Sequence, residues 1–183
     1  SMQKKWNVLK PDADRVKQLS ARLGCHPITA AILINRKLTS AKEASLFLTT
    51  SLNHMRPPFD LKDMDAAVDR ICRAIQNEEK ILIFGDYDVD GISATAVLFE
   101  FLNVAGADVS TYIPHRIHEG YSLQPHHIEN YALPNRIRLI ITADCGSGSA
   151  NALAAAAKTG IDVVVTDHHE MPKSIPPAVA VLN

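Results

Sequence analysis

The sequence predicts an α/β protein: a parallel sheet with helices on both faces, preceded by a small helical N-terminal region. Three observations predict it. From residue 64 onward, apolar runs of strand length alternate with stretches of helical spacing, the order of a parallel sheet crossed by helices. Three of those runs end in acids or in acids and imidazoles, and the ends of parallel strands share one edge, where open α/β sheets bind ligands. Residues 1–58, in contrast, carry only short helical patterns and turn signals, so residues 59–183 form the α/β domain.

The N-terminal region reads as three short helices. Residues 12–23 space Val16, Leu19 and Leu23 on one face and stop at Gly24. Residues 27–36 form the second helix. Ser40 and Glu43 make a capping box for the third, which runs through Phe47 and Leu48. Residues 53–59, with Pro57 and Pro58, read as a linker. Beyond it, Met64, Ala67, Val68, Ile71, Ala74 and Ile75 follow helical spacing and lead into the apolar run 81–84. A second helix begins after Gly91, carries Ala94, Val97, Leu98, Phe101 and Leu102, and stops at Gly106; its N-terminal dipole faces the acid loop and suits a phosphate. Residues 108–113 form a strand, 115–122 a loop, and 125–131 a short helix. The run 139–142 is a strand, and an alanine-rich helix follows to Lys158 and Gly160. The run 161–166 is another strand; Pro172, Pro176 and Pro177 mark a loop, and 178–182 reads as a last strand.

The chemistry gathers where the strands end. Ile81 to Phe84 is stopped by Gly85, and Asp86, Asp88 and Asp90 follow at alternate positions before Gly91. Three carboxylates so close repel one another unless a cation neutralises them, and hard oxygen ligands suit Mg²⁺ or Mn²⁺. Asp144 follows the strand 139–142, and Asp167, His168 and His169 follow 161–166. One Asp after a strand is ordinarily a helix cap or turn former; three such ends in this order are a metal site. A dinucleotide-binding fold is the rival, but no Gly-x-Gly-x-x-Gly follows the first strand and no P-loop is present.

Composition narrows the partners. No apolar run approaches the ~18 residues of a membrane span. Cys25, Cys72 and Cys145 are scattered and odd in number, which points to the reducing cytoplasm. Residues 1–50 hold nine lysines and arginines against three acids, a balance of +6 in a chain of net charge −1, so the remainder carries −7. A basic arm beside an acidic, metal-binding body suits a polyanionic substrate, although a solvated helical face would carry the same count. Arg116 is the best phosphate candidate, with a salt bridge to Glu119 as the other reading. Trp6 and Tyr121 could stack on bases, and Trp6 could equally anchor the basic helices. His115 and His118 lie in a loop without an acid partner nearby in sequence, His126 and His127 sit in a first helical turn facing solvent, and Cys145 is a small packed thiol.

Asp-Tyr-Asp-Val-Asp-Gly (86–91), Ala-Asp-Cys-Gly (143–146) and Asp-His-His (167–169) together resemble the first three motifs of the DHH phosphoesterase superfamily. The resemblance covers essentially the whole chain, which is similar to the N-terminal part of that superfamily's single-stranded-DNA exonucleases. Residues 36–44, 59–64 and the loop 114–121, with its Arg and Glu-Gly-Tyr, share in it. It implies a two-metal site for Mn²⁺ or Mg²⁺, two ions in the full-length enzyme. Asp88 and Asp90 would ligate different ions, Asp144 would bridge them and His168 would complete one. Asp86 would stand beside them as a ligand or support. His169 would contact the scissile phosphate and Asp167 would orient an imidazole. The implied activity is 5′→3′ hydrolysis of single-stranded DNA in repair and recombination, with a single-strand-binding protein and a helicase as partners. Two alternatives are a phosphodiesterase of short oligonucleotides or cyclic dinucleotides, which would not require the basic helices, and an inactive DHH-fold scaffold in replication, which would not require Asp88, Asp90, Asp144 and His168. Two positions depart from the pattern: Phe84 stands where some members have histidine, and Ser122 where many have glycine. A fourth acidic motif and a second domain are expected beyond Asn183, so this chain is expected to bind metal weakly and to have little nuclease activity.

Overall fold

The computed structural model describes residues 7–49, 51–173 and 177–183. The chain divides into two compact units, Ser1–Arg56 and Pro57–Asn183. Trp6, and with it the choice between base stacking and anchoring, lies outside the described residues.

The first unit is helical. α1 (Ala13–Leu23) opens on Asp12, whose carboxylate accepts from the Arg15 amide at 2.9 Å, and closes on Gly24 in the left-handed region at φ +61°. α2 (Pro27–Asn35) starts on proline, whose missing N–H costs nothing at a helix start. α3 (Ala41–Leu48) keeps half of the expected capping box: the Ser40 hydroxyl accepts from the Glu43 amide, but the Glu43 carboxylate takes the Ser40 hydroxyl proton at 2.7 Å rather than the Ser40 amide. Leu19, Ala30, Leu33 and Ala44 form its core.

The second unit is the α/β domain. Among the described residues its elements are α4 (Met64–Gln76), β1 (Lys80–Gly85), α5 (Val89–Val104), β2 (Val109–Tyr112), α6 (Pro125–His127), β3 (Ile137–Ala143), α7 (Ala150–Lys158), β4 (Asp162–Thr166) and β5 (Ala180–Leu182). The strands pair in the order β2-β1-β3-β4-β5, every pair parallel. The period of two in a strand sorts the side chains into two cores. Ile81, Ile83, Leu139, Ile141 and Val164 meet α4 and α5 through Ala67, Ala74 and Leu102. Leu82, Phe84, Ile140, Val163 and Val165 meet α7 and the segment after α6 through Leu153, Ala156 and Ile128. Burial on both faces explains why the strands read as continuous apolar runs rather than as alternation.

Three expectations change. The short helix at 125–131 is one α turn followed by a π-helix, Ile128–Ala132, closed by the Leu133 amide donating to the Ile128 carbonyl at 3.0 Å. That wider turn seats Ile128 and Ala132 in the core. His127, expected in solvent, is buried: its ring packs on Phe84 at 4.9 Å and Tyr112 at 5.4 Å, and its Nδ1 accepts from the Gln124 amide. The linker contains two 3₁₀ turns, Leu52–His54 and Pro58–Asp60.

Candidate metal centre

Register builds the site. Gly85 pairs with Ala143, Ala143 with Thr166, and Thr166 with Leu182, so β1, β3, β4 and β5 end level. The next residue of each strand is therefore brought into one row: Asp86, Asp144, Asp167 and Asn183. The parallel ladder runs one rung further through their amides, with Asp86 donating to the Ala143 carbonyl at 3.1 Å, Asp144 to Thr166 at 3.0 Å and Asp167 to Leu182 at 3.0 Å. Carboxylates at this row inherit the rigidity of the sheet.

The acids after β1 do not share a loop. Asp88 is the N-cap of α5, its Oδ1 accepting from the amides of Asp90 and Gly91 at 3.0 Å each, and Asp90 sits in the first helical turn. The short acid spacing was a capping pattern as well as a ligand pattern. Those amides, Gly91 foremost, hold the Asp88 carboxyl below its usual pKa. Asp86 is buried and accepts from the Tyr87 amide at 2.7 Å. Gly91 lets this turn close: a Cβ there would stand 2.5 Å from the Asp86 carbonyl oxygen and 2.6 Å from its nitrogen.

Asp144 is the centre of the arrangement. It takes a left-handed backbone at φ +63°, which turns its carboxylate in from β3. Two groups of donors meet there. Asp86, Asp88 and Asp144 bring one oxygen each within 4.8 Å of one another, and Asp144, Asp167, His168 and His169 form a second group at the same spacing. Asp144 belongs to both. Its two oxygens are buried without a hydrogen-bond donor. His168 Nδ1 stands 2.9 Å from Oδ1, close enough for an ion pair but out of line for a hydrogen bond. Burial, and then the charge of Asp88, push the Asp144 carboxyl above its usual pKa. A buried carboxylate that no donor satisfies, and whose one close partner is the exposed His168 ring, is costly. The donor set, hard oxygens with imidazole nitrogen, fits Mg²⁺ or Mn²⁺.

The two histidines part company. His168, exposed, faces a cleft of about 440 Å³ with Asp90, Asp144 and Thr166. Asp90 thus lies on the site's edge without joining either close donor group. His169 lines the neighbouring cleft of about 410 Å³ with Tyr121, Ser122 and Gly148. Its Nδ1 is 2.7 Å from Asp167 Oδ1, which raises the imidazole's pKa. Burial alone would raise Asp167, but the amides of Ser147 and His169 and the His169 ring hold it at about 2. Asp167 therefore stays charged 2.7 Å from His169 Nδ1.

Arg116 makes no ion pair with Glu119. Both Glu119 oxygens are engaged, by the Tyr112 hydroxyl at 2.5 Å and the His115 amide at 2.5 Å. The guanidinium lies instead over the Tyr87 ring, 5.2 Å from its centroid. Tyr87 meets Tyr121 edge to face, and the Tyr121 hydroxyl reaches the His169 ring at 3.3 Å, so an aromatic line runs from Arg116 to the imidazole. Cys145 is packed as expected, its thiol pushed by burial to about 12. His115 and His118 stack on each other and join no donor group among the described residues. Sequence reasoning missed Asn183. Its amide donates to the Ser147 hydroxyl and the His169 carbonyl, both at 2.9 Å, tying two site loops together. The available signal was the rule that found the acids: the first polar residue after an apolar run.

A parallel sheet that gathers carboxylates and imidazoles at the ends of β1, β3 and β4 defines a protein built to hold divalent cations at its C-terminal edge. The chain belongs to the DHH family: the model of that family's N-terminal domain matches residues 80–183. It is 38% identical over 180 residues to the single-stranded-DNA-specific exonuclease RecJ of Bacillus subtilis, covering 98% of this chain and 23% of that protein. It is 37% identical over 125 residues to RecJ of Thermus thermophilus, covering 66% of this chain and 18% of that one. Among solved structures, exonuclease RecJ bound to manganese matches with a TM-score of 0.64 at 34% identity, over 69% of this chain and 32% of the other. RecJ from Thermus thermophilus in complex with Mn²⁺ matches with a TM-score of 0.60 at 26% identity, over 93% and 23%. The chain thus spans about a fifth of the length of these curated relatives.

Proposed function

We propose that this chain carries the metal centre of a two-metal hydrolase that cuts phosphodiester bonds of single-stranded DNA from the 5′ end. The observation that carries the reading is Asp144: a buried carboxylate without a donor, shared by two ligand groups, is the arrangement a bridging ligand requires. Asp86 and Asp88 would hold one ion with it, and His168 the other, with Asp90 completing the set from the first turn of α5. Bound there, Mn²⁺ or Mg²⁺ would lower the pKa of the attacking water and offset charge on the attacked and leaving oxygens. The residues themselves do the rest. His169, whose pKa Asp167 raises, donates to the scissile phosphate. Arg116 meets a neighbouring phosphate, and Tyr121 offers a ring to a base. The similarity to RecJ supports the substrate class, and the basic first unit suits a strand more than a dinucleotide. A single-strand-binding protein and a helicase would present such a strand. Free Cys25, Cys72 and Cys145 fit a cytoplasmic setting.

The test is digestion of 5′- and 3′-labelled single strands by the full-length enzyme, with Mn²⁺ and with EDTA, beside Asp144→Ala in the same background. Metal-dependent release from the 5′ label, absent in the variant, is the expected result. Cleavage that survives EDTA, or that Asp144→Ala retains, overturns the assignment.

A further inference from the structure

The first unit carries a cleft of about 300 Å³ that the metal centre does not explain. Arg15, Gln18 and Arg22 line it from one face of α1, Thr39 from the α2–α3 loop, and Leu19 and Ile34 form its apolar floor. Arg15 and Arg22 enter no salt bridge among the described residues, although Asp12 and Asp14 lie on the same chain segment; Asp12 is used by the Arg15 backbone amide. Seven residues of α-helix set the two arginines about 10 Å apart along the axis. That is far enough to meet different phosphates of one strand. The region around them carries nine basic residues against three acids over residues 1–50.

We propose that this cleft is a phosphate-backbone site for single-stranded nucleic acid. Each guanidinium offers a fork of donors to one phosphate, which is the geometry arginine supplies better than lysine. Gln18 and Thr39 add neutral donors between them. Leu19 and Ile34 give the sugars an apolar floor. The cleft contains no base-reading pocket, so its contribution is to affinity and salt dependence rather than to sequence. The inference deepens the reading of the chain as a nuclease on single strands and rests on that reading only for the class of ligand.

The experiment is fluorescence anisotropy of the whole chain with labelled oligothymidylate, in EDTA, from about 50 to 200 mM salt. Each phosphate contact contributes roughly 0.7 to the slope of log affinity against log salt on a single strand. Arg15→Gln with Arg22→Gln should lower the slope by about 1.4. Lys80→Gln with Lys158→Gln, the same charge change outside the basic first unit and at the sheet edge opposite the metal centre, should leave it unchanged. A wild-type slope in the arginine pair, or an equal loss in the lysine pair, overturns the site. Should the arginine pair fail to fold by circular dichroism, Gln18→Glu places a repelling carboxylate in the same cleft and should weaken binding; wild-type binding there also overturns it. An oligoglutamate peptide that binds through Arg15 and Arg22 while oligothymidylate does not would show an acidic-peptide site and overturn the nucleic-acid assignment. Because EDTA removes hydrolysis, the slope is read without catalysis, and a full-length enzyme that cleaves nothing while this chain keeps the arginine-dependent slope sinks the catalytic reading alone.

Discussion

Replacing Asp144 by asparagine should stabilise the metal-free protein while destroying its response to metal. The side chain is almost fully buried, both oxygens lack donors, and Asp88 adds a like charge. A buried group left unsatisfied costs about 1–3 kcal/mol. Asparagine keeps the volume and removes the charge, so Asp144→Asn should recover about that amount without metal. For a chain of this size 1 kcal/mol moves Tm by roughly 2–4 °C, so melting in EDTA should rise by several degrees. Wild-type protein with Mn²⁺ at a hundredfold excess over Kd should gain about 2.7 kcal/mol by mass action. The variant should gain little, because the ligand common to both donor groups is gone. Thermal and urea unfolding, each with Mn²⁺ and with EDTA, measure the four states. If Asp144→Asn is less stable than wild type in EDTA, the carboxylate is satisfied in the fold and the argument for an ion there fails.

Other substitutions separate the remaining roles. His169→Ala should reduce turnover more than Mn²⁺ affinity, and His168→Ala the reverse; equal loss of metal in calorimetry would refute the division between the two clefts. Gly91→Ala forces a Cβ to 2.5 Å from backbone that cannot yield, so it should cost about 3 kcal/mol in urea unfolding and disorder the Asp86–Asp88 turn. Burial lowers the His127 pKa to about 4. Between that value and the unfolded value near 6.5 the unfolded chain binds the extra proton, so stability is complete above pH 6.5 and falls by up to about 3 kcal/mol as pH drops toward 4. His127→Asn, which can still accept from the Gln124 amide, should flatten the slope in that window; an unchanged slope would place the titration elsewhere. Arg116→Gln should raise the KM for single strands with little effect on metal-induced stabilisation.

The fold was legible because the strands are buried on both faces, and an apolar run stopped by Gly85 or by Asp144 marks its own end. Even the level of the site follows from that reading, since parallel strands ending in register must place their next residues in one row. What the runs could not report is which way a side chain turns after the strand. Asp144 turns into the left-handed region, whereas Asp86 and Asp167, which make the same ladder rung, do not, and no local pattern in the sequence distinguishes them. His127 was hidden for a similar reason: a polar pair in a first helical turn looks solvated until the tertiary fold packs one ring on Phe84 and Tyr112. Asp90 and Asp88 show the limit in the other direction. Their spacing is required by an N-cap as much as by a metal, and only the helix, by spending Asp88 on the amides of Asp90 and Gly91, separates the two demands. Capping fixes where Asp88 stands, and an oxygen left beside Asp86 and Asp144 leaves it available to a cation. One residue can thus serve the fold and the site because the two uses draw on different lone pairs.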